Sequence, residues 1–165
     1  MGLNIREIVP RKEISIQELK GKIIAVDAFN AIYQFLSSIR QYDGTPLMDK
    51  QGRVTSHLSG LFYRNISLLS EGIKLVYVFD GKPPKLKNVT NQNRNENKEI
   101  AKERFEEAKD KDDFGAMRKY SQQMTKINDE MIFESKELLK AMGIAVIQAP
   151  SEGEAQASEL SKHKD

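Results

Sequence analysis

Three short runs of uninterrupted apolar residues punctuate the chain: Ile23-Ile24-Ala25-Val26, Leu75-Val76-Tyr77-Val78-Phe79 and Ile144-Ala145-Val146-Ile147. Each is continuous rather than alternating, the pattern expected of parallel strands buried on both faces. Between them, apolar residues recur at helical spacing. Residues 28–41 predict one helix. Residues 55–71 predict a second, with Leu58, Leu61, Phe62, Ile66 and Leu69 on one face and Gly72 as its stop. A further helix is predicted over 126–142, where Ile127, Met131, Leu138 and Met142 form a stripe that ends at Gly143. Strands alternating with helices indicate an α/β fold, with a mainly parallel central sheet flanked by helices.

Residues 85–125 break the alternation. They are polar and charged, with only Leu86, Ile100, Phe105, Phe114, Met117 and Met124 as apolar anchors. Helices are expected around 96–110 and 113–123, with Asp112-Asp113 as a cap between them. This reads as a helical excursion projecting from the sheet, and a solvated surface hairpin explains the pattern equally well.

Composition narrows the chemistry. Of 165 residues, 39% are hydrophobic and 30% charged, enough for a sizeable core and unlike a disordered chain. No apolar run approaches the roughly 18 residues of a membrane span, and no signal-like segment opens the chain, so no membrane partner is expected. There is no cysteine, and His57 and His163 are far apart. Disulfide scaffolds, zinc clusters, thiol catalysis and histidine-based sites are thereby set aside. The net charge of +2 names no partner by itself. By segment it says more: residues 85–126 carry 11 basic and 8 acidic side chains, whereas residues 127–165 carry 4 and 8.

Carboxylates are left to carry any chemistry, and each apolar run leads into them. Asp27 follows the first run and Asp80 the second; Glu152 and Glu154 lie just beyond the third. Ligands of open parallel sheets bind beyond the carboxyl ends of the strands, so these acids are expected to converge on one edge. Clustered carboxylates are tolerated together mainly when a cation neutralises them. Oxygen-only ligands favour Mg²⁺ or Mn²⁺ over zinc. Phosphodiester hydrolysis is the chemistry that most often uses such a set. Structural roles compete with this reading. An acid after a strand is commonly a turn former or helix cap, and Ser151-Glu-Gly-Glu154 matches a capping box.

The stretches VDAFNAIYQFL (26–36), TSHLSGLFYR (55–64), VYVFDGKPPKLK (76–87) and MGIAVIQAPSEGEAQA (142–157) resemble the flap endonuclease family. This is the branch of the 5′-nuclease superfamily that trims 5′ flaps in DNA replication and repair, and the EGEAQA form is similar to its archaeal members. The resemblance implies that Asp27, Asp80, Glu152 and Glu154 belong to a metal site for two Mg²⁺ ions, with Mn²⁺ as a substitute. It implies that Lys87 and Arg94 steer and neutralise the scissile phosphate. It further implies that Tyr33 stacks on a base near the cleavage site, although its neighbours Ile32, Phe35 and Leu36 suggest a core position. Gly2 matches a processed N-terminus near the substrate junction. Arg40, Arg64, Lys98 and Lys126 are candidate phosphate contacts. The 85–125 excursion matches the helical gateway, or arch, that a single-stranded 5′ end threads.

Two departures from the family pattern stand out. The arch base, NVTNQNRNENK at 88–98, is rich in asparagine where relatives carry more Lys and Arg. Weaker phosphate attraction, a shallower salt dependence and a loosely ordered helix are therefore expected. The family pattern also continues beyond Asp165, through a strand with paired aspartates that complete the metal site. A helix–two-turn–helix element that grips duplex DNA and a C-terminal peptide for the sliding clamp follow it. The 165 residues are thus expected to be the N-terminal part of a cytoplasmic, nucleoid-associated, structure-specific 5′-flap endonuclease with only part of its active site. The alternatives are a non-catalytic DNA-binding fragment, or another member of the superfamily that acts on nicks or bubbles.

Overall fold

The computed structural model describes Pro10, residues 12–81 and residues 88–162, with side chains for Pro10, 12–81, 99–160 and Lys162. Three strands, β1 (Ile23–Asp27), β2 (Lys74–Phe79) and β3 (Ala145–Gln148), form a parallel sheet in the order β1-β2-β3. The register pairs Asp27 with Val78 and Phe79 with Gln148, so all three strands end along one edge. The helices are α1 (Ala28–Ser38), α2 (Ser56–Ser70), α3 (Asn88–Asp110), α4 (Phe114–Gln123), α5 (Asp129–Ala141) and α6 (Gly153–Lys162). The α/β class and the parallel sheet agree with expectation. Gly72 and Gly143 end their helices with φ of +77° and +73°, a conformation that strains any side chain.

Burial on both faces holds only for β2, whose residues are mostly buried after the exposed Lys74. β1 and β3 are half-buried and begin at exposed residues, because among the described residues they are the outer strands. The core gathers Ile32 and Leu36 from α1, Leu61 from α2, Leu75, Tyr77 and Phe79 from β2, and Leu139 from α5. Ile127, Met131, Leu138 and Met142 pack against it, as their spacing predicted.

The buried face of α2 differs from the predicted one. Leu61 is fully buried, but Phe62, Ile66 and Leu69 are 41%, 44% and 37% exposed. The inward face instead carries Ser56, His57, Gly60, Leu61 and Asn65. Each polar member has a specific neighbour. Ser56 Oγ donates to the Ile39 carbonyl at 2.7 Å and accepts the Leu47 N–H at 2.8 Å. Tyr77 O–H donates to Asn65 Oδ1 at 2.8 Å. At Gly60 a Cβ would lie 2.5 Å from Phe35 Cδ1, so only glycine lets α1 and α2 approach so closely. The hydrogen bonds of Ser56 Oγ and Asn65 Oδ1 and a close helix crossing have outweighed the apolar stripe in setting the rotation of α2.

The charged excursion is a helical hairpin, with α3 packed along α4. Asp113 caps α4, its Oδ1 accepting the Ala116 N–H at 3.0 Å, while Asp112 takes φ of +51° in the turn. α3 begins at Asn88, eight residues ahead of expectation, so the asparagine-rich stretch is helical.

Candidate metal and nucleic-acid site

The sheet edge is built from strand ends. Asp27 is the last residue of β1 and the N-cap of α1, with Oδ1 accepting the Asn30 N–H at 3.0 Å. Asp80 follows β2 directly, and its Oδ1 accepts the Gly153 N–H at 2.6 Å. Glu152 and Glu154 flank Gly153, so Asp80 is tied to the backbone of the turn that carries both glutamates. Glu152 is half-buried and Glu154 exposed. The first N–H of α6 is thus met by a carboxylate from another strand, an anion suitably placed at a helix N-terminus.

Close backbone contact locks this corner. Gly81 N–H donates to the Ser151 carbonyl at 2.5 Å, and Ala149 N–H to the Phe79 carbonyl at 2.8 Å. Gln148 Nε2 donates to the Asp80 carbonyl at 2.5 Å, while its Oε1 accepts from Lys136 Nζ at 2.7 Å. A Cβ on Gly81 would press on the Ala149 carbonyl oxygen and come within 2.6 Å of the Pro150 carbonyl carbon. A Cβ on Gly153 would sit 2.8 Å from Asp80 Oδ1. Glycine at both positions allows β2 and the β3–α6 turn to touch.

The structural roles of Asp27 and Asp80 leave acceptor capacity unused. Asp27 and Asp80 each use Oδ1 for a backbone N–H, and a carboxylate has about four acceptor sites on its two oxygens. A shared edge bearing only carboxylate donors fits a hard, oxygen-seeking cation in kind. Among the described residues, however, no three Asp, Glu, His or Cys side chains close together into a set that could hold a metal ion.

The predicted DNA-facing residues divide. Tyr33 points outward from α1, 42% exposed, while its neighbour Ile32 is fully buried. It lines a cleft of about 310 Å³ with Asn30, Gln34, Ser37 and Ser38 of α1 and Gln122 of α4. Tyr33 lies six residues beyond Asp27, about 9 Å along the same helix. Arg64 is exposed on α2 beside a separate groove formed with Phe35, Ile39, Leu47 and Tyr63. Lys126 is exposed between α4 and α5. Arg40 is not the free surface cation expected of a phosphate contact. It is half-buried, with Nη1 donating to the Gly44 carbonyl at 2.8 Å and to Ser121 Oγ, and Nη2 to Thr125 Oγ1 at 2.5 Å. Gly2 and Lys87 lie outside the described residues, as do the side chains of Arg94 and Lys98 on α3. Gln122 and the glycines at 81 and 153 escaped the sequence reading. The glycines had a signal, since each adjoins a predicted acid; Gln122 had none.

Residues 3–101 match the XPG N-terminal domain. The chain belongs to that family. The chain is 58% identical over 158 residues to the Pyrococcus furiosus protein named flap endonuclease 1, covering 96% of this chain and 46% of that one. A Saccharolobus solfataricus protein of the same name is 55% identical over 152 residues, covering 92% and 44%. The chain spans about half the length of the curated relatives it matches. Among solved structures, the flap endonuclease-1 from Methanococcus jannaschii shares the fold with a TM-score of 0.69 and 45% identity, over 98% of this chain and 51% of that one. The catalytic core of Rad2, solved with a DNA substrate, superposes with a TM-score of 0.60 and 32% identity, over 92% and 38%.

Proposed function

We propose that this XPG-type chain is the N-terminal part of a structure-specific 5′-flap endonuclease that serves DNA replication and repair. One observation carries the proposal: three parallel strands end along one edge, where Asp27 closes β1 and Asp80 follows β2, and Asp80 Oδ1 accepts the N–H of Gly153, the residue between Glu152 and Glu154. The identities with proteins named flap endonuclease 1 support the same reading.

In this reading those four carboxylates hold divalent ions, Mg²⁺ by preference, with further ligands supplied from outside the 165 residues. When bound, the metal activates water and stabilises the leaving oxygen of a phosphodiester. The protein's own groups do the rest. Tyr33 offers an aromatic face to an unpaired base, with amide side chains of Asn30, Gln34 and Gln122 around it. Lys87 and Arg94 neutralise charge on the scissile phosphate. Gly2, Arg64, Lys98 and Lys126 contribute further backbone contacts, and the α3–α4 hairpin forms the arch for a 5′ end. Branched DNA is the substrate, and a sliding clamp engages the intact protein through a segment outside this chain. A cytoplasmic, nucleoid-associated location follows from that role.

Asp80→Asn tests the metal assignment cleanly, because the amide oxygen can still accept the Gly153 N–H. In the intact protein the variant is expected to bind a labelled 5′-flap duplex with little loss and to lose Mg²⁺-dependent cleavage. Wild-type turnover in Asp80→Asn refutes the assignment. A second reading is favoured by the spacing of the acids, no three of which close together among the described residues: the 165 residues bind DNA, and hydrolysis requires ligands from elsewhere. Cleavage by this chain alone, assayed beside a longer version, rejects that second reading.

A further inference from the structure

Arg40 stands just beyond α1, and two of its hydrogen bonds run to residues more than eighty positions away. Ser121 lies in the last turn of α4 and Thr125 just past its end. Ser121 Oγ also donates to the Gly44 carbonyl at 2.5 Å, so arginine and serine share one acceptor. The acceptors named for Arg40 (a carbonyl and two hydroxyls) are uncharged. Burial is the first cause lowering its pKa, yet a guanidinium keeps its proton under all ordinary conditions. A half-buried fork held by neutral acceptors is a geometric fastener, with donor directions that a lysine cannot reproduce.

The surrounding contacts act on the same joint. Gly44 takes φ of +84°, and a Cβ there would lie 2.7 Å from Arg118 Cα, so the 41–46 loop meets α4 backbone to backbone. Tyr42 and Phe114 bring their rings to 5.7 Å at the other end of α4. Gln122, adjacent to Ser121, is the α4 wall of the cleft whose α1 wall bears Tyr33.

We propose that Arg40 is a positioning residue: its guanidinium fastens the end of α4 to the end of α1 and so sets the width of the Tyr33 cleft. That the cleft receives an unpaired nucleotide rests on the function proposed above; the fastening does not. The primary test is hydrogen exchange on this chain. Arg40→Met retains the apolar stem and removes the donors. Its amides at 124 and 125 are expected to exchange about tenfold faster or more, the equivalent of one charge-assisted hydrogen bond. Amides of β2 should keep their protection. Arg40→Lys should fail to restore the slow exchange. If Arg40→Met unfolds the chain, Thr125→Val removes one acceptor and should give a smaller change of the same sign. Unchanged exchange at 124 and 125 in the folded variants, or full rescue by lysine, overturns the proposal.

A second measurement separates this role from phosphate binding. Affinity for a 5′-flap duplex, followed against salt, should weaken in Arg40→Met with an unchanged slope. Loss of a phosphate contact would instead lower the slope by about 0.7–0.9. That lower slope, with unaltered exchange, would return Arg40 to the DNA surface. If the wild-type chain binds no flap DNA, the function reading suffers while the exchange result still decides the fastener.

Discussion

Gly81→Ala is the most exacting test of how the fold delivers its carboxylates. The substitution adds one methyl group where a Cβ would lie 2.6 Å from both the carbonyl carbon and the oxygen of Pro150 and would also press on the Ala149 carbonyl oxygen. All of these are backbone atoms, so no side chain can rotate away. Relief requires β2 and the β3–α6 turn to part by about 1 Å, which overpacking data place at about 1–3 kcal/mol. The same movement stretches the Gly81 N–H bond to Ser151, now 2.5 Å, for about 1 kcal/mol more. The total of about 2–4 kcal/mol corresponds to a fall in Tm of about 5–15 °C for a chain of this size. Thermal unfolding by circular dichroism measures it, with Gly115→Ala as the control. Gly115 lies inside α4 with only Asp113 Oδ1 at 3.4 Å, so alanine there should be neutral or stabilising. In an intact flap-cleaving protein, the displacement separates Asp80 from Glu152 and should lower kcat by about a hundredfold. A Tm within about 2 °C of wild type would refute the close-approach argument, whatever the activity.

Other predictions follow from single contacts. Tyr77→Phe leaves buried Asn65 Oδ1 without its donor and should cost about 1–3 kcal/mol in chemical denaturation, with Asn65→Leu on that background recovering part of the loss. His57 is fully buried with Nε2 3.3 Å from Glu134 Oε2; burial lowers its pKa, and Glu134 only partly opposes this. A depressed histidine pKa costs nothing while the ring is neutral in both states, and it destabilises the fold once the unfolded chain binds a proton that the folded one refuses. Stability should therefore hold above the unfolded value of about 6.5 and decline as pH falls through the lower folded value, and His57→Gln should flatten that decline. Asp27→Ala removes the α1 cap for about 0.5–2 kcal/mol, whereas Asp27→Asn should keep the cap. Equal losses of stability in the two variants would show that charge, rather than the hydrogen bond to Asn30, holds the start of α1.

Much of the site was legible because it rests on local signals. A continuous apolar run identifies a strand, and an acid directly after it the outgoing residue, without knowledge of any partner; how deeply the strand is buried depends on its neighbours, and only β2 is buried on both faces. The runs at 23, 75 and 144 did become parallel strands, and Asp27 and Asp80 did end at the same edge. Helix stops at Gly72 and Gly143 were equally local, since a left-handed residue at a helix end favours glycine wherever it occurs.

What the linear order could not decide was orientation and partnership. The spacing in α2 identified an apolar stripe, yet tertiary contacts turned Asn65, His57 and Gly60 inward and left Phe62 and Ile66 exposed. Helical periodicity defines faces, whereas the choice of buried face depends on the neighbours that arrive. Arg40 read as a surface cation because charge is visible in sequence, while Ser121 and Thr125, its acceptors, are not visible as partners at all. The class of fold, the order of the strands along the chain and the acids that follow β1 and β2 are properties of short segments, and the linear order was enough to read them. Which oxygen of each acid meets a backbone N–H, which face of α2 is buried and what holds α4 to α1 emerged with the packing. Each of those depends on distances between segments far apart in the chain, and packing sets such distances.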